Sequence, residues 1–164
     1  METLQQQRRT QQRSVRARFS EENVLGASSA LEILFPAGKT RIAATLFVEW
    51  LRAKGGQATK NAVSAFANTL QRGELRWHDM AFRYSRRNFY LTVLRTLVSL
   101  GFIQRNLPVW DEGRRQTLYV YARSIFDIPQ KPPAVGFWRL AYYTCRKWNE
   151  LFFDHNEARA EPLS

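Results

Sequence analysis

The chain has 164 residues, a formal net charge of +11 at pH 7 and a hydrophobic content of 45%. This length is typical of about one domain, and the apolar content can bury a core, which excludes a wholly disordered chain. The excess of Lys and Arg attracts polyanions, nucleic acid first and an anionic membrane surface second.

The sequence contains one cysteine, Cys145, so an internal disulfide is excluded and a reducing compartment fits best. We expect its thiol to be buried and inert among neighbouring aromatic residues. The longest apolar stretch, residues 42–48, is far shorter than the roughly 18 residues that a membrane span needs. We therefore expect no membrane association and no secretory signal, and a location in the cytoplasm with the nucleoid, or in the nucleus.

Residues 1–19 form a basic segment with one acid, Glu2, and five arginines: Arg8, Arg9, Arg13, Arg16 and Arg18. With few apolar residues, this segment cannot offset the entropy of ordering, so we predict a disordered arm. It is either a solvated tail or an arm that lies along phosphates, with Arg8 and Arg9 as candidate contacts. A transit peptide has a similar composition, but this segment lacks the apolar face of one.

Three helices are predicted in the following stretch. Ser20 is a predicted N-cap, and a helix from there to about Leu34 is stopped by Pro36. A second helix, ended by a Gly pair, carries apolar residues at helical spacing: Ile42, Leu46, Trp50 and Leu51. A third, from Thr59 to Leu70, has Val63, Phe66, Ala67 and Leu70 on one face.

The rest of the chain is predicted to alternate between short elements and one long helix. An extended piece at Leu75–Trp77 precedes a brief helical turn, His78–Arg83. Two short strands flank a turn at residues 111–113. We divide the chain into the arm 1–19, a domain of residues 20–128, a Pro-rich connector of residues 129–136, and an aromatic C-terminal helix and tail, residues 137–164.

The segment SRRNFYLTVLRTLVSLGFIQR, residues 85–105, predicts a two-sided helix. At 100° per residue, Leu94 shares its buried side with Tyr90, Leu91, Leu97 and Val98. The opposite side holds short polar residues and one aromatic residue: Ser85, Asn88, Phe89, Thr92, Arg95, Thr96 and Ser99. Asn, Arg and Thr can pair with base edges or thymine methyl groups in a major groove.

Ser85 is a predicted N-cap for this helix, followed by two arginines in its first turn. Cations there are unfavourable for the helix alone. A phosphate bound from outside would offset that effect, so we assign Arg86 and Arg87 as phosphate contacts.

The pattern S-R-R-N-x-Y-x-x-V-L-x-x-L-x-x-x-G-F-I-x-R, followed by a hairpin, resembles the winged helix-turn-helix DNA-binding superfamily. The resemblance covers about residues 39–123. It implies a mostly α fold, a helical bundle with a small β-hairpin wing, to which this chain adds a C-terminal helix. It further implies that Ser85–Thr96 reads the major groove, that His78–Arg83 is its partner helix, and that Arg114 and Arg115 form the wing tip.

The charge distribution supports the same interpretation. Between Arg72 and Arg123 there are ten arginines, four acids and no lysine. Guanidinium groups suit bidentate contacts with phosphate and guanine, whereas lysines would also serve solubility. A basic surface without a ligand is the alternative.

Neither an enzyme nor a bound cofactor is expected. FPAGKT ends like a phosphate-binding loop, but that motif requires glycine where this chain has Ile33. His78, His155 and Cys145 are too few and too scattered to predict a metal site. No nucleophile and base are arranged for catalysis.

We therefore predict a sequence-reading protein of double-stranded DNA, a transcription regulator or an accessory factor of replication or of a mobile element. The alternative is a structural or protein-docking subunit of a nucleoprotein complex. In that case RNA is a further candidate ligand. The aromatic last helix either packs on the domain or binds a partner protein or a second copy of the chain.

Overall fold

The computed structural model describes residues 20–36, 38–111, 113–122 and 136–152. The predicted basic arm with Arg8 and Arg9, residues 129–135 of the connector and the tail 153–164 lie outside the described residues. The described part is mostly helical with antiparallel strands, which confirms the predicted helical fold with a hairpin.

The helices are α1 Glu21–Gly26, α2 Ala30–Leu34, α3 Gly38–Ala53, α4 Lys60–Arg72, α5 and α6 Phe137–Phe152. Helix α5 runs through three consecutive segments: α-helical Arg86–Asn88, π-helical Phe89–Leu94 and α-helical Arg95–Ser99. The strands are β1 Gln57–Ala58, β2 Leu75–Trp77, β3 Met80–Phe82, β4 Ile103–Asp111 and β5 Arg114–Ala122. One sheet has the antiparallel order β1-β5-β4, and β2 and β3 pair with each other.

The predicted single helix from Ser20 to Leu34 is wrong, because two helices separated by a break occupy this stretch. The Ser20 hydroxyl caps α1 by accepting from Asn23 N at 3.3 Å, as predicted. Beyond Gly26 the chain is extended, and the carboxylate of Glu32 accepts from the backbone N and the hydroxyl of Ser28. These hydrogen bonds satisfy polar groups at the start of α2, so that side chains compete with the backbone bonds of a continuous helix. The same hydrogen bonds from Ser28 lower the pKa of Glu32.

Three aromatic rings form the centre of the core, one from each of α3, α4 and α5. Phe47 lies 5.6 Å from Phe66 and 5.1 Å from Phe89, and Phe66 and Phe89 are 5.5 Å apart, measured between ring centroids. The predicted buried face of α4 is confirmed, since Val63, Phe66, Ala67 and Leu70 are all buried. These contacts fix the three helices relative to one another.

The predicted helical turn over His78–Arg83 is wrong, because β2 and β3 form a tight hairpin there. Trp77 pairs with Met80, which leaves His78 and Asp79 as a two-residue loop. Both have positive φ, 48° and 62°, as a type I′ turn between twisted strands requires, and His and Asp are among the non-glycine residues that tolerate it. Arg76 donates to the Asp79 carbonyl oxygen at 3.1 Å, which stabilises the turn further.

Helix α6 packs back on the N-terminal helices, one of its two expected roles. Trp148 is fully buried and its ring lies 4.9 Å from that of Phe102. The Lys147 ammonium donates to the carbonyl oxygens of Val24, Leu25 and Ala27 at the end of α1, where a cation interacts favourably with the helix dipole. Among the described helices, none combines the length and the apolar character that a membrane crossing requires.

Candidate nucleic-acid interface

Helix α5 starts at a firm N-terminal cap. The Ser85 hydroxyl accepts from the backbone N of Asn88 at 3.1 Å, which confirms Ser85 as the N-cap. The backbone N of Arg86 donates to the side-chain oxygen of Gln71 on α4 at 3.0 Å. The beginning of α5 is therefore tied to α4 by its own backbone.

The Arg86 guanidinium strengthens that attachment. One terminal nitrogen donates to the carbonyl oxygen and the hydroxyl of Ser64, both at 3.1 Å, and to the side-chain oxygen of Asn68 at 2.7 Å. The guanidinium also lies 5.2 Å from the ring centre of Tyr90, within cation–π range. Burial raises the pKa of Tyr90, although the Arg86 charge opposes this shift. Arg86 is thus directed onto α4, whereas the sequence predicted a phosphate contact.

We expect Arg86→Ala to destabilise the fold and Arg87→Ala to leave its stability unchanged. The Arg86 variant leaves polar groups of α4 without their charged donor, which typically costs about 1–3 kcal/mol. The adjacent Arg87 is exposed, so its removal should change stability by less than about 0.5 kcal/mol. Urea unfolding of both variants measures the difference, and equal unfolding midpoints would contradict the anchoring role of Arg86.

The π-helical segment of α5 changes which residues face outward. Phe89 is fully buried, although the α-helical wheel placed it outside, and Leu91 is 50% exposed, although the wheel placed it inside. A π turn closes i→i+5 bonds and so advances by a smaller angle per residue than an α turn. Counting back from Leu94, this rotates Phe89 into the core and Leu91 toward solvent. Both assignments from the sequence are therefore wrong.

The exposed face of α5, called the outer face below, consists of Arg87, Asn88, Leu91, Thr92, Arg95 and Ser99. Thr96, also predicted to be outside, is half-buried, and Ser85 is exposed at the N-terminal end. Asn88, Thr92 and Arg95 lie four and three residues apart along α5, and all three are exposed. The structure thus brings these three predicted residues together on one surface.

The outer face carries two arginines, Arg87 and Arg95, which form no ion pair with an acid among the described residues. Arg87 and Arg95 have no hydrogen-bond or ion-pair partner within the described part of the chain. Other arginines nearby do: Arg72 pairs with Glu74 at 2.9 Å, and Arg105 lies 4.7 Å from the ring centre of Tyr119 and donates to its hydroxyl. From residue 80 to residue 110 the sequence has no Asp or Glu, which leaves both guanidinium groups available to an external anion.

Arg114 and Arg115 lie beside the turn of the β4–β5 hairpin, as predicted. In the backbone register of the two strands, Arg114 lies opposite Asp111 and Arg115 lies opposite Trp110. Gly113 in the turn has a φ of 76°. The positions of their backbones are described, whereas their side chains lie outside the described part. Arg8 and Arg9 lie outside the described residues altogether.

A cavity of about 500 Å³ lies beside α1 and α2, lined in part by Glu22, Glu32 and Arg41. Arg41 donates to the carbonyl oxygens of Phe35 and Pro36, and Glu32 accepts from Ser28, so both groups are held by the chain itself.

Burial raises the pKa of the half-buried Cys145 thiol, which disfavours the reactive thiolate. Within the described ranges, no cluster of His, Cys, Asp and Glu could hold a metal ion.

Comparison of the chain with protein-family models, curated proteins and solved structures gave no significant match.

Proposed function

We propose that this protein binds double-stranded DNA through a winged helix-turn-helix domain and reads its sequence with the outer face of α5. Its role would be that of a transcription regulator, or of an accessory factor in replication or in the movement of a mobile element. The observation that carries the proposal is a pair of exposed guanidinium groups, Arg87 and Arg95, which no described residue pairs with. They lie with Asn88 and Thr92 on a firmly anchored helix.

The order of the elements supports the domain assignment. Along the chain the order is helix α3, strand β1, helices α4 and α5, and then the β4–β5 hairpin. Strand β1 joins this hairpin in a sheet of order β1-β5-β4. In this proposal α4 replaces His78–Arg83 as the partner of the reading helix. The β2–β3 hairpin is then an insertion between the two helices, and the β4–β5 hairpin is the wing.

Each residue of the interface has a proposed role. Asn88, Thr92 and Arg95 contact bases, with Thr96 at the edge of the face. Arg87 at the start of α5 contacts phosphate, as do Arg114 and Arg115 on the wing and Arg8 and Arg9 on the arm. Arg86 is a positioning residue that holds α5 on α4.

Selection from a random duplex pool at two salt concentrations, with RNA as a competitor, tests the proposal. We expect a defined sequence motif that persists at the higher salt concentration, since base contacts add to the salt-dependent phosphate contacts. Recovery of duplexes without any shared motif, or complete displacement of the duplexes by RNA, would contradict sequence reading on DNA.

A second function, that of a docking subunit in a nucleoprotein complex, is favoured by one observation. Phe137 and Trp138, at the start of α6, are 65% and 72% exposed, and their rings contact each other at a centroid distance of 5.4 Å. Adjacent exposed aromatic residues are typical of protein interfaces. Under this function, the purified protein would bind duplex and RNA without preference for a sequence, and a partner protein or second copy would protect Trp138 from quenching of its fluorescence.

A further inference from the structure

Leu91 is an apolar side chain in the middle of a polar surface. It is 50% exposed, and its neighbours along the outer face are Asn88, Thr92 and Arg95. Two other leucines have similar exposure, Leu25 at 42% and Leu100 at 54%, but Leu25 belongs to α1 and Leu100 follows the last residue of α5. Among these three, Leu91 alone lies within the proposed reading surface.

The π-helical turn places Leu91 on this surface. The turn brings Phe89 into contact with Phe47 and Phe66. It exposes Leu91 instead, two residues further along α5. π turns in helices occur frequently at functional sites. The same feature of the backbone thus completes the core and adds an apolar group to the outer face.

The base edges in the major groove present one apolar group, the 5-methyl group of thymine, that an apolar side chain can contact. We propose that Leu91 recognises this methyl group and so makes the protein select thymine, and thereby DNA over RNA. The inference rests on the proposed function, because it assumes that the outer face enters the groove. Uracil lacks the methyl group, and the deep, narrow major groove of duplex RNA excludes side chains.

The position of the thymine also follows from the order of residues on α5. Asn88 suits adenine and Arg95 suits guanine. Leu91 lies between them in the chain, so its thymine is expected between the base pairs that these two residues contact.

Replacement of single thymines by deoxyuridine in the selected duplex tests the inference, because it removes one methyl group and no hydrogen-bonding atom. We expect affinity to fall about fourfold at one thymine, the effect of losing one buried methyl group, and to stay unchanged at the others. Leu91→Ala should bind the thymine and deoxyuridine duplexes equally well. Leu100→Ala, the matched control with a similarly exposed leucine, should keep the fourfold difference.

The possible failures can be distinguished. If a motif is selected but deoxyuridine is tolerated at every position, or if Leu91→Ala still discriminates, Leu91 does not read thymine and the proposed function stands. If no duplex motif is selected, or RNA displaces all duplexes, the proposed function and the inference fail together. Thermal unfolding of both variants establishes that a loss of discrimination comes from the interface, since both substitutions are at exposed positions.

Discussion

Raising the salt concentration from 50 to 200 mM should weaken duplex binding by about a thousandfold. Each phosphate neutralised by a protein cation releases counterions, so contact with about six phosphates gives a slope near −5 for log affinity against log salt. The candidates are Arg87 on α5, Arg114 and Arg115 on the hairpin, and arginines of the arm. Fluorescence anisotropy with a labelled duplex at four or more salt concentrations measures the slope. A slope near zero would contradict phosphate binding.

Two variants of α5 separate phosphate contacts from base contacts in the same measurement. Arg87→Ala should lower the magnitude of the slope by about one and weaken all sequences alike. Arg95→Ala should cost about 1–3 kcal/mol on the selected site and relax the sequence preference there. Arg146→Ala is the matched control, because Arg146 is also exposed but lies on α6, 3.9 Å from Glu150. An equal change of slope in all three variants would point to a general effect of net charge.

Besides the helical fold with its hairpin, the sequence predicted correctly the features that residues within one or two helical turns determine. The hydroxyls of Ser20 and Ser85 cap their helices, because each accepts from a backbone N three residues ahead. The apolar face of α4 follows directly from the α-helical period of Val63, Phe66 and Leu70. Neither feature depends on a distant part of the chain.

The features that the sequence did not predict depend on a local change of period or on tertiary contacts. A fixed 100° per residue cannot describe α5, where packing of Phe89 against Phe47 and Phe66 accompanies a π turn. The β2–β3 hairpin lacks the Asn-Gly or Asp-Gly pair that usually signals a type I′ turn, since His78 and Asp79 fill it instead.

The role of Arg86 shows the same limit at the candidate interface. Its partners, Ser64 and Asn68, precede it by about twenty residues and reach it only when α4 packs on α5. The sequence indicated that α5 begins with two arginines. Only the tertiary structure shows that Arg86 binds to α4 and that Arg87 is exposed. Of the pair, Arg87 is the one that is exposed and has no hydrogen-bond or ion-pair partner among the described residues.

Replacing Trp148 by Ala should destabilise the protein by about 3–5 kcal/mol, the usual effect of removing a large aromatic side chain from a core. Trp148 is fully buried, with its ring 4.9 Å from Phe102 and 5.0 Å from Phe152. Phe102 directly precedes β4, so Trp148 joins α6 to the part of the chain that leads into the hairpin. Its loss leaves a cavity between α6 and the start of β4.

Trp138→Ala is the matched control, because it makes the same substitution in the same helix at a side chain that is 72% exposed. It should change the free energy of unfolding by less than about 0.5 kcal/mol. Urea unfolding, followed by far-ultraviolet circular dichroism, measures both variants without relying on the fluorescence of the tryptophan removed. If both variants unfold at the same urea concentration as the parent protein, α6 contributes little to the fold. Its packing on α1 and α2 would then be separable from the domain that carries the outer face.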